Sequence, residues 1–91
     1  MNNKIEILYF SAAWCGPCKM FKPVFEQFIA EHPEVESKYI DVEGDEAEQY
    51  NHLLIKAVPT IVFMKNGSEE ARVSGAKSKK ALEQVLEDIT F

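Results

Sequence analysis

Cys15 and Cys18 are the only cysteines in the chain, and they stand two residues apart in the tetrad Cys15-Gly16-Pro17-Cys18. Two cysteines are too few for a disulfide framework, and a pair at this spacing points to thiol–disulfide exchange or metal binding. Upstream, Ile5, Ile7, Leu8, Tyr9 and Phe10 form an apolar run that predicts a strand buried on both faces, ending at Ser11-Ala12-Ala13. Downstream, Phe21, Val24, Phe25, Phe28 and Ile29 recur at helical spacing and predict a helix from Cys15 to Ala30, stopped before Pro33. Cys15 therefore falls where a strand gives way to a helix. The unpaired N–H groups and positive dipole end there favour thiolate over thiol, and thiolate is the attacking species in disulfide exchange. Cys15 is the predicted nucleophile. Cys18, one helical turn further on the same side, is within bridging reach and expected to be the less exposed sulfur, placed to resolve.

The remaining pattern supplies the elements that hold this pair. Pro23 interrupts the first helix and predicts a kink, at a cost of about 3 kcal/mol if nothing compensates. A second strand fits Lys38 to Val42. Gly44-Asp45 then offers a cap for a helix with Glu46 and Glu48 in its first turn, expected to end near Ile55. Thr60 to Lys65 reads as a strand, Asn66-Gly67 as a tight hairpin turn and Glu70 to Ser74 as the returning strand. Ser78 caps a last helix whose Leu82, Val85, Leu86 and Ile89 share one face. The expected fold is α/β in the order β-α-β-α-β-β-α: a mixed four-stranded sheet with three helices, helices on both faces, and residues 1–91 as one domain.

Composition narrows the function. The 91 residues carry 10 Lys and Arg against 15 Asp and Glu, a net charge of −5, which disfavours nucleic acid as principal ligand. No apolar run approaches the about 18 residues that span a bilayer, so no membrane partner is expected. A charge at Glu6 interrupts what would be the apolar stretch of a signal after Met1-Asn2-Asn3-Lys4, and the cytoplasm is the expected compartment.

Trp14-Cys15-Gly16-Pro17-Cys18-Lys19-Met20 resembles the active-site segment of the thioredoxin family, with Pro23 in the place of that family's helix kink. Val58-Pro59-Thr60 resembles the family's cis-proline loop, Phe63-Met64-Lys65-Asn66-Gly67 its hairpin, and Gly75-Ala76-Lys77-Ser78 the glycine loop before its last helix. Together these motifs span nearly the whole chain. The resemblance implies a minimal thioredoxin fold with a cis bond at Pro59, a loop facing the cysteines, and a Val58 backbone free to pair with an extended substrate. Trp14, Thr60, Gly75 and Ala76 complete the implied groove. It further implies a dithiol–disulfide oxidoreductase that reduces protein disulfides, with no cofactor beyond the redox-active Cys15–Cys18 pair. A thioredoxin-reductase-like donor would reset it, and a monomer is expected.

Two departures stand out. Tyr9 occupies the position, six residues before the first cysteine, where thioredoxins usually carry a buried aspartate that helps deprotonate the second cysteine. The matching lysine is also missing, since Ser37 falls near its place and Lys38 should point to the other face. A slow resolving step follows from that loss. Fourteen residues precede Cys15, roughly half the family's usual number, which suggests a start at the family's second strand and a first strand exposed as an edge or dimer surface.

Other readings compete. A zinc half-site shared between chains would use the cysteines with His32 or His52, but both histidines are expected to be solvated surface residues. A glutathione-coupled glutaredoxin is suggested by the short length and opposed by Gly16-Pro17. A non-catalytic thioredoxin-fold binding module is the third alternative. The Phe21, Phe25 and Phe28 stripe reads as core. Lys77, Lys79 and Lys80 flank the Gly75 loop and read either as a solvated face or as steering charges for an acidic partner.

Overall fold

The computed structural model describes residues 4–90, so Met1-Asn2-Asn3, part of the segment read as lacking an export signal, lies outside the described residues. The chain runs β1 (Ile5–Ser11), α1 (Gly16–Ala30), β2 (Glu36–Asp41), a 3-10 helix (Asp45–Leu53), β3 (Thr60–Lys65), β4 (Ser68–Ser74) and α2 (Lys79–Ile89). The order of strands across the sheet is β2-β1-β3-β4, with β1 parallel to β2 and antiparallel to β3, and β4 antiparallel to β3. The mixed four-stranded sheet with three helices is thus as expected.

Alternation along the strands builds two cores. Ile5, Ile7 and Tyr9 of β1 and Ile61 and Phe63 of β3 face α1 and α2, where they meet Phe21, Phe25, Phe28, Leu82 and Leu86. Leu8, Phe10, Val62 and Met64, with Ile40 of β2 beside Phe10, face the other way, toward Leu53. Helix α1 continues through Pro23. Burial of its three phenylalanines, each worth about 1.5–3 kcal/mol, offsets the hydrogen bond that Pro23 cannot make.

Three expectations about the elements need correction. The first strand is no edge: β1 is hydrogen-bonded on both sides, and β2 and β4 form the edges. An almost wholly apolar strand is most stable where neighbours cover both its hydrogen-bonding sides and both its faces. The segment after Gly44 is a 3-10 helix ending at Leu53, not an α-helix reaching Ile55. Its buried and half-buried apolar residues Ala47, Tyr50 and Leu53 recur every three residues, the 3-10 period, and Leu54 ends it at φ 54°. Finally, β2 and β4 each begin two residues before their expected starts, at Glu36 and Ser68. In β4 a bulge absorbs Glu70, since Phe63 pairs with Ala71 while Met64 pairs with Glu69.

The hairpin turn at Asn66-Gly67 has positive φ at both residues, 53° and 87°. It is tied to the start of β1 by a bond from the Asn66 N–H to the Lys4 carbonyl at 2.8 Å and by one from the Lys4 N–H to Asn66 Oδ1 at 2.9 Å. His32 is less solvated than expected, because its ring packs on Phe28 and lies 3.1 Å from Glu83 and 3.4 Å from Glu34, tying the end of α1 to α2. His52 is exposed. Among the described residues no helix is long and apolar enough to cross a membrane.

Candidate active site

β1 delivers the chain to the site, and the Cys15 N–H donates to the Ala12 carbonyl at 3.0 Å, turning it into α1. Cys15 is the N-cap of that helix, with Pro17 in the first turn, where its missing N–H costs nothing. The Cys15 Sγ accepts the Cys18 N–H at 3.1 Å, so the sulfur does what a Ser or Asp oxygen does at other helix starts. An acceptor aimed at by helix N–H groups is stabilised more strongly as an anion, so this geometry lowers the cost of a Cys15 thiolate.

Cys15 and Cys18 form a disulfide, with Cα atoms 5.3 Å apart. In this oxidised pair the expected difference in exposure is absent: Cys15 is 3% and Cys18 4% exposed. What distinguishes them is position. Cys15 caps the helix from outside, whereas Cys18 lies within α1 and its carbonyl accepts the Tyr9 hydroxyl at 3.0 Å. Ala12 packs with both cysteines, and Val42 and Val58 lie against the three.

The Val58–Pro59 peptide is cis, and Val58 faces the disulfide as the motif implied. Two bonds brace this loop. The Gly75 N–H donates to the Pro59 carbonyl at 2.8 Å, and the Thr60 hydroxyl donates to the Ala57 carbonyl at 2.7 Å. Thr60 is only 2% exposed, so its side chain holds the loop from behind and does not face the groove. Gly75 has φ +85°, the left-handed conformation that glycine adopts freely.

Beside the disulfide runs a shallow groove of about 130 Å³, lined by Trp14, Val42, Ile55, Lys56, Ala57 and Val58. Trp14 is 66% exposed, a large apolar surface held open to solvent. Gly16, Pro17 and Ala76 are exposed as well. Three features escaped the sequence reading: Met20, 81% exposed and two residues past Cys18, and Val42 and Ile55 in the groove wall. Met20 closes the motif segment itself, but Val42 and Ile55 become neighbours only through the fold. Among the described residues no group of three or more His, Cys, Asp or Glu could hold a metal ion.

The family model described as Thioredoxin matches residues 1–88. The chain belongs to the thioredoxin family. It is 37% identical over 85 residues to a thioredoxin of Ophiophagus hannah, covering 92% of this chain and 79% of that one. It is also 37% identical over 89 residues to the thioredoxin of Gallus gallus, covering 97% and 82%. Among solved structures, the X-ray structure of Fasciola hepatica thioredoxin superposes with a TM-score of 0.81 at 38% identity, covering 92% of this chain and 80% of that one. Membership and the Cys15–Cys18 pair together make the chain a thioredoxin-type dithiol–disulfide oxidoreductase. The family does not fix a compartment, since thioredoxin O1, mitochondrial, of Arabidopsis thaliana is 40% identical over 84 residues, 43% of that protein's length.

In this thioredoxin the side chain at position 9 is a phenol and not a carboxylate. Tyr9 pairs in register with Tyr39 on β2, and Lys38 pairs with Leu8 on the opposite face, where its ammonium lies 3.4 Å from Glu46. Burial raises the Tyr9 phenol above its ordinary pKa, with Tyr39 and Glu26 adding to the effect, so Tyr9 is a neutral donor.

Proposed function

We propose that this thioredoxin reduces protein disulfides in the cytoplasm as a monomeric, single-domain carrier that uses no cofactor beyond its own cysteine pair. The observation that carries the division of labour is the Cys15 Sγ at the helix N-cap, accepting the Cys18 N–H at 3.1 Å. In the reduced protein Cys15 thiolate attacks one sulfur of a substrate disulfide, expelling the other sulfur as thiolate and forming a mixed disulfide. Cys18 then gives up its proton and attacks Cys15 Sγ, which releases the reduced substrate and leaves the Cys15–Cys18 bond. A dithiol donor, a thioredoxin-reductase-like enzyme in the cell, returns the two electrons.

The groove supports an extended peptide as substrate. Trp14 and Val58 line the groove beside the disulfide, Gly16, Pro17 and Ala76 are exposed, and Pro59 and Gly75 brace the loop through their own backbone bond, which leaves a mostly apolar surface. That surface accepts many sequences. Thr60 contributes by holding the loop.

The test is reduction of a protein disulfide with dithiothreitol as donor, comparing the parent with Cys15→Ser and Cys18→Ser. Acceleration by the parent, none by Cys15→Ser, and a trapped mixed disulfide with Cys18→Ser are expected. No acceleration over dithiothreitol alone would leave the fold as a binding module.

A further inference from the structure

A second depression, of about 180 Å³, shares no lining residue with the Val58 groove and reaches Cys18. Tyr9 and Ser11 of β1, Tyr39 of β2, and Cys18, Lys19 and Lys22 of α1 form its polar and sulfur-bearing wall. The volume has room for several water molecules, and the hydroxyls and ammoniums of its wall could partner them.

The resolving step needs a Cys18 thiolate, yet this wall offers no base. The Tyr9 proton is committed to the Cys18 carbonyl, and burial holds that phenol neutral. Tyr39 is likewise held above its ordinary pKa, first by burial and then by Glu26. Glu26, one turn beyond Lys22 on α1, acts on both phenols but does not line the depression. Two cations do line it. Lys22 is seated, its Nζ 5.5 Å from the centroid of the Tyr39 ring, whose own centroid is 5.3 Å from that of Tyr9.

We propose that Lys22, seated over the Tyr39 ring, is the positioning charge for the resolving step: with water in this depression it stabilises the Cys18 thiolate where other family members are expected to use a carboxylate base. A base lowers the barrier by taking the proton, whereas a fixed cation does so by stabilising what the proton leaves behind. The Cys18 proton passes to water. Cys18 thiolate forms the new bond to Cys15 Sγ, the bond from Cys15 Sγ to the substrate sulfur breaks, and that sulfur departs with the electron pair as thiolate. No further oxidant is consumed. The inference rests on Cys18 resolving, as proposed above.

Reaction of the reduced protein with neutral dipyridyl disulfide reads both steps, since attack by Cys15 and resolution by Cys18 each release one equivalent of chromophoric pyridinethione. In Lys22→Met the second release is expected to slow by about three- to tenfold at pH 7, with its pH midpoint moved alkaline. Lys22→Arg should restore both. Tyr39→Leu, which removes the seat, should shift the midpoint in the same direction as Lys22→Met. A second release in Lys22→Met with unchanged rate and midpoint would overturn the inference, as would failure of Lys22→Arg to restore them. Absence of the first release in the parent would instead overturn the role of Cys15, a distinguishable failure.

Discussion

The Tyr9 hydroxyl donates to the carbonyl oxygen of Cys18 at 3.0 Å, so the polar group beneath the active-site turn holds backbone and not sulfur. Tyr9 is also core: it is 1% exposed, stacks on Phe21 and tilts against Phe25 and Tyr39. At this position the phenol serves packing and a backbone hydrogen bond and takes no proton from Cys18. Tyr9→Phe keeps the ring and deletes one buried hydrogen bond, and urea denaturation should show a loss of about 1 kcal/mol. Tyr9→Asp should speed the resolving step and so the release of the substrate thiol, while losing about 3–5 kcal/mol of stability with the aromatic ring. A resolving rate unchanged in folded Tyr9→Asp would mean that proton removal from Cys18 does not limit that step.

Trp14 separates binding from folding. At 66% exposure it contributes little to the core, so Trp14→Ala should change stability by under about 0.5 kcal/mol. It lines the groove beside Val58 and Ile55, and its loss should raise KM for a folded protein disulfide severalfold. A small aromatic disulfide, too short to lie along the groove, should be reduced nearly as before. Equal losses on both substrates would place Trp14 in the chemistry of the sulfurs.

The sequence made the site's chemistry more legible than its surroundings. The strand before Cys15 and the apolar period after it suffice to put a sulfur at a helix start, because both signals are local. The hairpin was equally plain, since Asn66-Gly67 is a turn with its own chemistry. What could not be read was non-local. The pairing of Tyr9 with Tyr39, and so the seat of Lys22, depends on the register of two strands separated by a whole helix. The buried side chain of Thr60 depends on Ala57 being within reach of its hydroxyl. The 3-10 helix was missed for a different reason: Ala47, Tyr50 and Leu53 carry its period of three, but so short a pattern is easily taken for a poor α-helix.

Gly75 offers a test of how the two loops are coupled. A Cβ there would meet nothing within 4 Å, so space is no obstacle, but the φ of +85° strains any other residue. Gly75→Ala should therefore lose about 1–2 kcal/mol, from the backbone alone. Its N–H anchors the Pro59 carbonyl at 2.8 Å, so relief of strain by a backbone shift would loosen the loop that faces the disulfide. Reduction of a protein disulfide should slow along with the loss of stability. A variant as stable as the parent would show that the turn relaxes at no cost.

The positive cluster at the start of α2 is not uniform. The Lys79 ammonium is held by both oxygens of Glu31, at 2.8 and 2.9 Å, which ties the end of α1 to the start of α2 and removes Lys79 from any steering role. The hydrogen bond to Lys79 is the main cause lowering the Glu31 pKa below its ordinary 4.5, and the same pairing raises that of Lys79 above 10.5. A carboxylate with a lowered folded-state pKa adds stability above its unfolded pKa and loses it as pH falls through the folded value. The raised ammonium adds stability below its unfolded pKa and loses it as pH climbs through the folded one. The pair should thus help between the acid and strongly alkaline limits, modestly, because both groups meet solvent. Thermal melts of parent and Lys79→Met should differ near pH 7, in favour of the parent. The gap should close as pH drops well below 4.5 and again as it rises past 10.5, and salt should shrink it throughout. A gap independent of pH would assign it to the lysine's methylene packing and not to its charge.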